Sequence, residues 1–342
     1  MARPTGPEDA LPGEFALIAR HFRPLAGPAG LGLADDAALL SPPPKRDLVL
    51  SVDAMVAGVH FLPDDPPDAI ARKLLRVNLS DLAAKGATPL GYLLALSLPR
   101  GTTDDWLADF AAGLGADQTQ FGIVLLGGDT TSTPGPLVAS ATVLGHVAPG
   151  GMLRRAGARA GDLIWVTGTI GDGALGLAVA QRRLLVPGKE ADRLVHEAAL
   201  IARYRLPRPR LGLAEHAVGG LAAIAHAGMD VSDGLVQDLG HLCRAGGVAA
   251  TIQAEAVPLS PAAAAIIAAD SARRIACLTG GDDYELLLAV PEARTPALRR
   301  AAAAAGIPIA CIGRFAAGAP GVTVLDPAGK PIALARGGFS HF

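Results

Sequence analysis

Apolar residues recur along this chain with two different periods. Short apolar or alternating runs predict strands, and longer segments with apolar residues every three or four positions predict helices. In the first half, the pattern predicts helices at 14–22, 67–85 and 103–116, and strands at 48–52, 92–98, 123–126 and 137–147. Strands that alternate with helices indicate a layered α/β domain.

A stretch rich in proline, glycine and arginine at 146–162 separates this series from a second one. The second series has predicted strands at 163–166, 249–253, 284–290 and 308–312, helices at 172–183 and 192–204, a helix from about 235, and an alanine-rich helix between the last two strands. The expected fold class is therefore α/β (α+β layered). We expect one domain over 13–149, a second over 150–342, and a flexible tail over 1–12.

Composition narrows the class of protein. The 342 residues include 30 Lys and Arg against 32 Asp and Glu, so a broad nucleic-acid-binding face is not expected. The three cysteines, Cys243, Cys277 and Cys311, are far apart, which argues against a disulfide framework or a zinc site and favours the cytoplasm. Residues 1–15 lack a signal-peptide pattern, and no apolar run reaches the roughly 18 residues of a membrane span. We expect a soluble protein.

Aspartates recur beside Gly, Ser or Thr, mostly where an apolar run ends. The six segments are GLADDAALL (Asp35, Asp36), LVLSVDAM (Asp53), VNLSDLAAKG (Asp81), VLLGGDTT (Asp129), MDVSDGL (Asp230, Asp233) and LTGGDDYELLL (Asp282, Asp283). Carboxylates at the mouths of strands are good ligands for a hard cation such as Mg²⁺.

Each segment also has a structural explanation. Asp and Ser are common helix caps and turn residues, Ser232 or Asp233 is expected to cap the helix near 235, and Asp81 is four residues from Lys85 on a predicted helix. Capping does not explain why all six segments are rich in acid. The chain contains no P-loop, no dinucleotide fingerprint and no GxSxG elbow.

Taken in order, these segments resemble the thiamine-monophosphate kinase family. The segments that carry the likeness are EFALIARHF, GLADDAALL, SVDAMVAGVHF, VNLSDLAAKGATP, GGDTT, DVSDGL, GGDDYEL and GGFSHF, and they span about residues 13–342. VNLSDLAA, GGDTT and SDGL are shared with the wider PurM-like (aminoimidazole-ribonucleotide synthetase-like) superfamily. EFALIARHF, VAGVHF and the GFSHF segment are typical of the thiamine-phosphate branch.

The resemblance implies an activity and its partners. It implies ATP-dependent phosphorylation of thiamine monophosphate to thiamine diphosphate, the last step of thiamine diphosphate biosynthesis, with several Mg²⁺ ions and usually K⁺. It also implies a two-domain PurM-like kinase that forms a homodimer through its N-terminal sheets, with the N-terminal domain binding ATP and Mg²⁺. No nucleic acid and no membrane is expected as a partner.

The resemblance also implies three groups of site residues. The metal group is Asp36, Ser51, Val52, Asp53, Asp81, Asp129, Asp230 and Asp233; the ATP group is Gly128, Asp129, Arg155 and Ser232; the substrate group is His60, Asp282 and Phe339. Because the acceptor phosphate is itself an anionic nucleophile, no side chain is expected to act as a base or nucleophile, and transfer is expected to be direct and in line.

Three of these positions depart from the family's pattern. Val52 stands where the family often has Thr, so a backbone carbonyl ligand survives and a hydroxyl ligand does not. Asp282 stands where Glu is common, and Phe339 keeps an aromatic ring without a hydroxyl.

Two alternatives stay open at this point. One is another PurM-like ATP-using synthetase, although the first cysteine is Cys243 and no early Gly-rich Cys motif supports selenium chemistry. A hydrogenase-maturation relative would want a C-terminal cysteine where this chain has SHF. The other alternative is a noncatalytic protein that binds nucleotide or metal.

Overall fold

The strands pair into two separate sheets, one in each of two units of the chain. The structure is a computed structural model that describes residues 13–334 and 337–339. The predicted tail at 1–12 lies outside these residues. One unit comprises the chain up to Leu82 together with Thr88–His146, and the other comprises Ala83–Ala87 and the chain from Val147 onward. Both units mix helices with strands, which confirms the predicted fold class.

The first unit contains a four-stranded sheet in the order β1-β4-β2-β3. Strand β2 pairs parallel to β3 and antiparallel to β4. The strands are β1 (Asp47–Val56), β2 (Thr88–Pro99), β3 (Val124–Thr133) and β4 (Val138–Val147). The helices are α1 (Glu14–Leu17), which continues as a π-helical turn at Ile18–Phe22, then α2 (Pro67–Lys85) and α3 (Asp104–Phe121), with short 3-10 turns at Arg23–Leu25 and Pro28–Leu33.

Local sequence explains the ends of α3. The Thr103 side chain accepts the N–H of Trp106 at the start, and Gly122 ends the helix at a φ of 65°, which favours glycine. Strand β1 buries Val49 and Met55 on one face and exposes Leu48 and Leu50 on the other. The sheet of the first unit therefore has one packed face and one open, partly apolar face.

The second unit contains a six-stranded sheet in the order β10-β7-β9-β5-β8-β6. Only β10 and β7 pair parallel; the other neighbours are antiparallel. Its strands are β5 (Leu163–Thr167), β6 (Ala227–Asp230), β7 (Ala249–Gln253), β8 (Leu286–Val290), β9 (Ile309–Ala316) and β10 (Gly321–Leu325). Its remaining helices are α4 (Asp172–Ala180), α5 (Glu190–Arg205), α6 (Leu211–Glu215), α7 (Leu221–Ile224), α8 (Leu235–Gly246), α9 (Pro261–Ala269), α10 (Arg273–Thr279) and α11 (Thr295–Ala304), with 3-10 turns at Ala254–Ala256 and Glu292–Arg294.

Two acidic positions were predicted at strand ends and lie inside strands instead. Asp53 is within β1, and Asp129 is within β3, where it pairs with Ala95 of β2. The change from apolar to polar residues ends burial but does not end the hydrogen-bonded ladder, because one face or edge of a strand can remain in water. The prediction that these aspartates lie at the ends of strands was therefore wrong.

The sequence pattern also missed short elements. Strands β6 and β10 and helices α9 and α10 were not predicted, and β8 begins at Leu286 rather than at 284. The later start of β8 has a local cause, because Asp282 and Tyr284 have left-handed backbones with φ of 71° and 52°. Within residues 13–334 and 337–339, no helix is long and apolar enough to cross a membrane.

Candidate active site

In the first unit, β1 and α2 bring oxygen donors together. The Ser51 hydroxyl donates to the Asp81 carboxylate. The N–H of Asp53 donates to the side-chain oxygen of the buried Asn78, one turn before Asp81 on α2, at 2.9 Å. Alternation along β1 places Ser51 and Asp53 on the face toward α2, whereas the side chain of Val52 is on the open face. Only the backbone of Val52 is therefore available on the side of Ser51.

The predicted substrate residue His60 lies in the turn that follows β1. Its Nδ1 accepts the N–H of Val56 at 3.0 Å, so the neutral ring carries its proton on Nε2. The carbonyl of His60 accepts a hydrogen bond from the ammonium of Lys73 at 2.9 Å. Lys73 is only 2% exposed, which makes it a buried anchor for this turn.

A cavity of about 350 Å³ in the first unit is lined by three aspartates, by Arg23 and by many apolar side chains. Asp35, Asp36 and Asp129 contribute to its lining together with Gly128. The apolar part comes from α1, its π-helical turn, the 3-10 turn at Pro28–Leu33 and strands β2 and β3: Phe15, Ile18, Phe22, Leu33, Leu93, Leu94, Leu125 and Leu126. The cavity thus combines carboxylates with space for an apolar or aromatic group.

Gly128 has a structural reason to be glycine. A Cβ at this position would lie 1.9 Å from the carbonyl oxygen of Leu94 on the neighbouring strand. Such an approach is impossible without moving the β2–β3 pair. The glycine is therefore explained by sheet packing whether or not a ligand approaches it.

In the second unit, backbone hydrogen bonds join two of the acidic segments. The N–H of Val231 donates to the carbonyl of Glu285, and the N–H of Tyr284 donates back to Val231, both at 2.8 Å. The N–H of Asp282 donates to the carbonyl of Ser232 at 2.9 Å. These contacts continue the pairing of β6 with β8 beyond the strands and hold DVSDG beside GGDDY.

The turn before α8 is shaped by a residue that the sequence analysis missed. One oxygen of Asp238 accepts the N–H groups of Ser232, Asp233 and Gly234 at 3.0, 3.0 and 3.2 Å. Gly234 is the N-cap, and no side-chain cap bond is made by Ser232 or Asp233, so that prediction was wrong. The pKa of Asp238 is raised to about 7 by burial and by the negative charges of Asp230 and Asp233.

A second buried carboxylate, Asp283, holds the start of α4. It accepts the N–H groups of Gly171 and Gly173 at 2.7 and 3.1 Å. These contacts give Asp283 a structural role, whereas its neighbour Asp282 is only partly buried and is 3.3 Å from the Tyr284 hydroxyl. Glu285 completes the loop by pairing with Arg203 at 2.9 Å and Arg210 at 2.5 Å.

The segment that carries Phe339 packs on the same turn. The N–H of Phe339 donates to the carbonyl of Asp233 at 3.0 Å, and the Gln237 side chain donates to the carbonyl of Phe339 at 2.6 Å. The residue is 48% exposed. The pKa of His241 on α8 is lowered chiefly by burial, then by Arg244 and then by Arg155, which is also exposed. Asp233 raises the same pKa. Arg155 and Asp233 are thus both within electrostatic range of His241.

The predicted site residues other than His60 and Arg155 therefore form three groups. Those of the first unit are Ser51, Val52, Asp53 and Asp81 between β1 and α2, and Asp36, Gly128 and Asp129 at the cavity. Those of the second unit are Asp230, Ser232, Asp233, Asp282 and Phe339 around one turn. His60 is held separately by Val56 and Lys73.

Asn78 and Asp238 could have been found in the sequence, because each is a polar residue within an apolar stripe of a predicted helix. Asn78 and Asp238 lie among apolar residues of α2 and α8 and are 0% and 1% exposed. A polar group is rarely buried in such a stripe unless it has a defined hydrogen-bonding task. Both side chains hold the backbone beside a candidate ligand.

The donor chemistry fits Mg²⁺. Across the described residues, no three His, Cys, Asp or Glu side chains are grouped so that they could hold a metal ion. Mg²⁺ is commonly held by one or two carboxylates, water and the phosphates of a nucleotide, without an all-protein cage. The Ser51 hydroxyl and the Asp81 carboxylate, beside Asp53, are oxygen donors of the type that such an ion requires.

Family models match both halves of the chain. The N-terminal domain model of AIR synthase related proteins matches residues 34–147, and the C-terminal domain model matches residues 159–325. The fold is therefore the two-domain PurM-like fold of this class.

Curated relatives and solved structures narrow the family. The thiamine-monophosphate kinase of Caulobacter vibrioides is 45% identical, with 98% of this chain and 92% of the relative covered. The crystal structure of thiamine-monophosphate kinase from Stenotrophomonas maltophilia is 42% identical, has a TM-score of 0.79, and matches over 94% of this chain and 98% of that chain. AaThiL complexed with AMPPCP and TMP is 30% identical with a TM-score of 0.74, over 96% of this chain and 97% of that chain. The chain belongs to the thiamine-monophosphate kinase family.

Replacement of Asp283 by Asn should change how stability depends on pH. Burial raises the pKa of Asp283 from 3.8 to about 8 in the folded protein. Proton binding to the folded state therefore contributes stability that is complete below about pH 3.8 and is lost as pH rises toward 8. Because Asn does not titrate, the unfolding free energy of the wild type relative to Asp283→Asn should fall between pH 5 and pH 8, by up to about 1.4 kcal/mol per pH unit.

The measurement is urea unfolding of both proteins at several pH values. A difference that stays constant, or that grows with pH, contradicts the assignment of a raised pKa to Asp283.

Proposed function

We propose that this protein transfers the terminal phosphate of ATP to thiamine monophosphate and forms thiamine diphosphate, the last step of thiamine diphosphate biosynthesis. The observation that carries the proposal is the gathering of Ser51, Asp53 and Asp81 between β1 and α2, in a member of the thiamine-monophosphate kinase family. AaThiL, a relative that this chain matches over nearly its whole length, holds AMPPCP and TMP together. AMPPCP is an ATP analogue.

In this proposal, two sets of residues hold Mg²⁺. The set in the first unit is Asp36, Ser51, the backbone of Val52, Asp53, Asp81 and Asp129, and the set in the second unit is Asp230 and Asp233. When bound, Mg²⁺ neutralises phosphate charge and orients the oxygens of donor and acceptor. A requirement for K⁺, which is usual in the family, is part of the same proposal.

Contacts to ATP are assigned to Gly128, Asp129, Arg155 and Ser232. The cavity beside Gly128 and Asp129 supports this assignment, since its apolar wall suits a base and its carboxylates suit phosphates that carry Mg²⁺. Arg155 is an exposed guanidinium, a group that pairs well with phosphate oxygens.

Contacts to thiamine monophosphate are assigned to His60, Asp282 and Phe339. The Nε2–H of a neutral His60 is a hydrogen-bond donor for a substrate acceptor, because Nδ1 is engaged by Val56. The ring of Phe339 is exposed and suits stacking on a flat heterocycle. Asp282 offers a carboxylate whose position is set by the backbone of Ser232.

Direct in-line transfer follows from the chemistry of the two substrates. The acceptor is a phosphate oxygen that already carries negative charge, so no side chain has to remove a proton from it. The residues assigned to the two substrates orient them, while Arg155 and the Mg²⁺ ions that the aspartates would hold offset the repulsion between two polyanions. We assign no covalent phosphoenzyme and no catalytic base.

We also propose that residues 13–149 form the domain that binds ATP and Mg²⁺ and that residues 150–342 form a second domain. We also propose a cytoplasmic location, which suits a small-molecule kinase and cysteines such as Cys243 and Cys277 that are buried as free thiols.

The activity is tested by incubating the protein with ATP, thiamine monophosphate and Mg²⁺ and measuring thiamine diphosphate. Asp129→Ala should lower kcat/KM by about 100-fold or more, because a carboxylate that would hold Mg²⁺ at the phosphates is lost. Asp105→Ala, an exposed aspartate on α3, is the matched control and should keep most of the activity. Absence of thiamine diphosphate with the wild-type protein would overturn the proposed function.

We further propose a homodimer formed through the open face of the first unit's sheet. Leu50 and Val52 on β1 are 61% and 59% exposed there, and Leu48 and Leu93 add to the same apolar surface. An exposed apolar sheet face of this kind is typical of an association surface.

Leu50→Lys should weaken the dimer, because two like charges would be placed in a symmetric apolar interface. Sedimentation should show about twice the chain mass of 34.5 kDa for the wild type and a shift toward a single chain for Leu50→Lys. Leu185→Lys alters a leucine that is 81% exposed in the second unit and should leave the mass unchanged. A wild-type protein that sediments as a single chain at micromolar concentration rules the dimer out.

A further inference from the structure

We propose that Gln237 is a positioning residue that fastens the segment carrying Phe339 to Asp233, and thereby sets the ring of Phe339 for thiamine monophosphate. The inference rests on the proposed function, because it concerns the substrate side of that site. It goes further by assigning a role to a residue that neither the sequence pattern nor the family resemblance singled out.

The side-chain amide of Gln237 contacts both partners. Its nitrogen lies 2.6 Å from the carbonyl oxygen of Phe339 and 3.2 Å from Oδ2 of Asp233. An amide nitrogen carries two hydrogens, so it can donate to both oxygens at once. Gln237 is on the first turn of α8, which is itself fixed by the buried Asp238. The donor therefore sits on a rigid element.

A backbone hydrogen bond between Phe339 and Asp233 holds the same segment. The N–H of Phe339 donates to the carbonyl of Asp233 at 3.0 Å. Phe339 is thus held through its N–H by Asp233 and through its carbonyl by Gln237, so the peptide groups on either side of its Cα are both tethered. This leaves rotation of the side chain as the main freedom of the ring.

Packing at Gly338 supports the same docking independently of the amide. A Cβ at Gly338 would lie 2.6 Å from the carbonyl oxygen of Asp233 and 2.6 Å from Cβ of Gln237. The segment therefore lies flat against the turn with no space for a side chain. The variant Gly338→Ala should therefore displace Phe339 while keeping the glutamine at position 237.

A positioning role predicts an effect on one substrate only. If Gln237 sets the Phe339 ring, loss of its donors raises KM for thiamine monophosphate and leaves KM for ATP almost unchanged. If Gln237 only supported folding, the active fraction and kcat would fall while both KM values stayed the same.

The sharpest variant is Gln237→Met, which removes the donating nitrogen without adding charge beside Asp233. We expect KM for thiamine monophosphate to rise by about tenfold or more, with KM for ATP within about twofold of wild type, as for the loss of hydrogen bonds to a charged group. Gly338→Ala should reproduce the effect. Gln181→Met, the same change at an exposed glutamine, should match the wild type.

A second readout does not depend on activity. Hydrogen exchange at the Phe339 N–H should be faster in Gln237→Met and Gly338→Ala than in the wild type and Gln181→Met. Unchanged exchange overturns the tether. Faster exchange with an unchanged KM for thiamine monophosphate overturns the positioning role. If the wild type forms no thiamine diphosphate, the proposed function and the substrate role fail together, and the exchange result alone decides whether the tether exists.

Discussion

A carboxylate that is removed from water must receive hydrogen bonds, and the site in the second unit depends on this constraint. Asp238 collects three successive N–H groups on one oxygen, and Asp283 collects two at the start of α4. An unpaired N–H in the interior costs about 1–3 kcal/mol, so each carboxylate avoids this cost at two or three N–H groups by accepting their hydrogen bonds. The turns that present Ser232, Asp233 and Asp282 keep their shape because these two acids lie beneath them.

This arrangement separates two kinds of acid that look alike in the sequence. Asp282 and Asp283 are adjacent, yet Asp283 is completely buried and holds backbone, whereas Asp282 is partly exposed and borders the turn at Ser232. Asp233, which precedes α8, and Asp238, on the first turn of α8, differ in the same way: Asp238 holds backbone N–H groups, and Asp233 is proposed to bind metal. Capping and ligand binding were competing explanations for each acidic segment. The structure shows Asp238 and Asp283 holding backbone N–H groups, and ligand binding is proposed for other acids near them.

The sequence predicted the larger elements because their patterns are long. Helix α2 has the predicted bounds, and β7 does as well. It did not predict that Asp53 and Asp129 lie within strands, since a strand continues wherever its partner's backbone continues. Family resemblance located the acids, but the roles of Asn78, Gln237 and Asp238 depend on contacts between residues that local patterns do not encode. Left-handed backbones at Asp282 and Tyr284 were equally invisible, because neither residue is glycine.

The proposed division is that Asp238 and Asp283, whose oxygens accept backbone N–H groups, hold the backbone, while Asp81 and the other aspartates assigned to Mg²⁺ bind the metal ions. It is tested most directly by counting bound Mn²⁺, a paramagnetic substitute for Mg²⁺, by electron paramagnetic resonance in the presence of AMPPCP. Asp81→Asn should bind fewer ions than the wild type, and Asp283→Asn should bind the same number. A full count in Asp81→Asn, or a lost ion in a folded Asp283→Asn, would contradict the account.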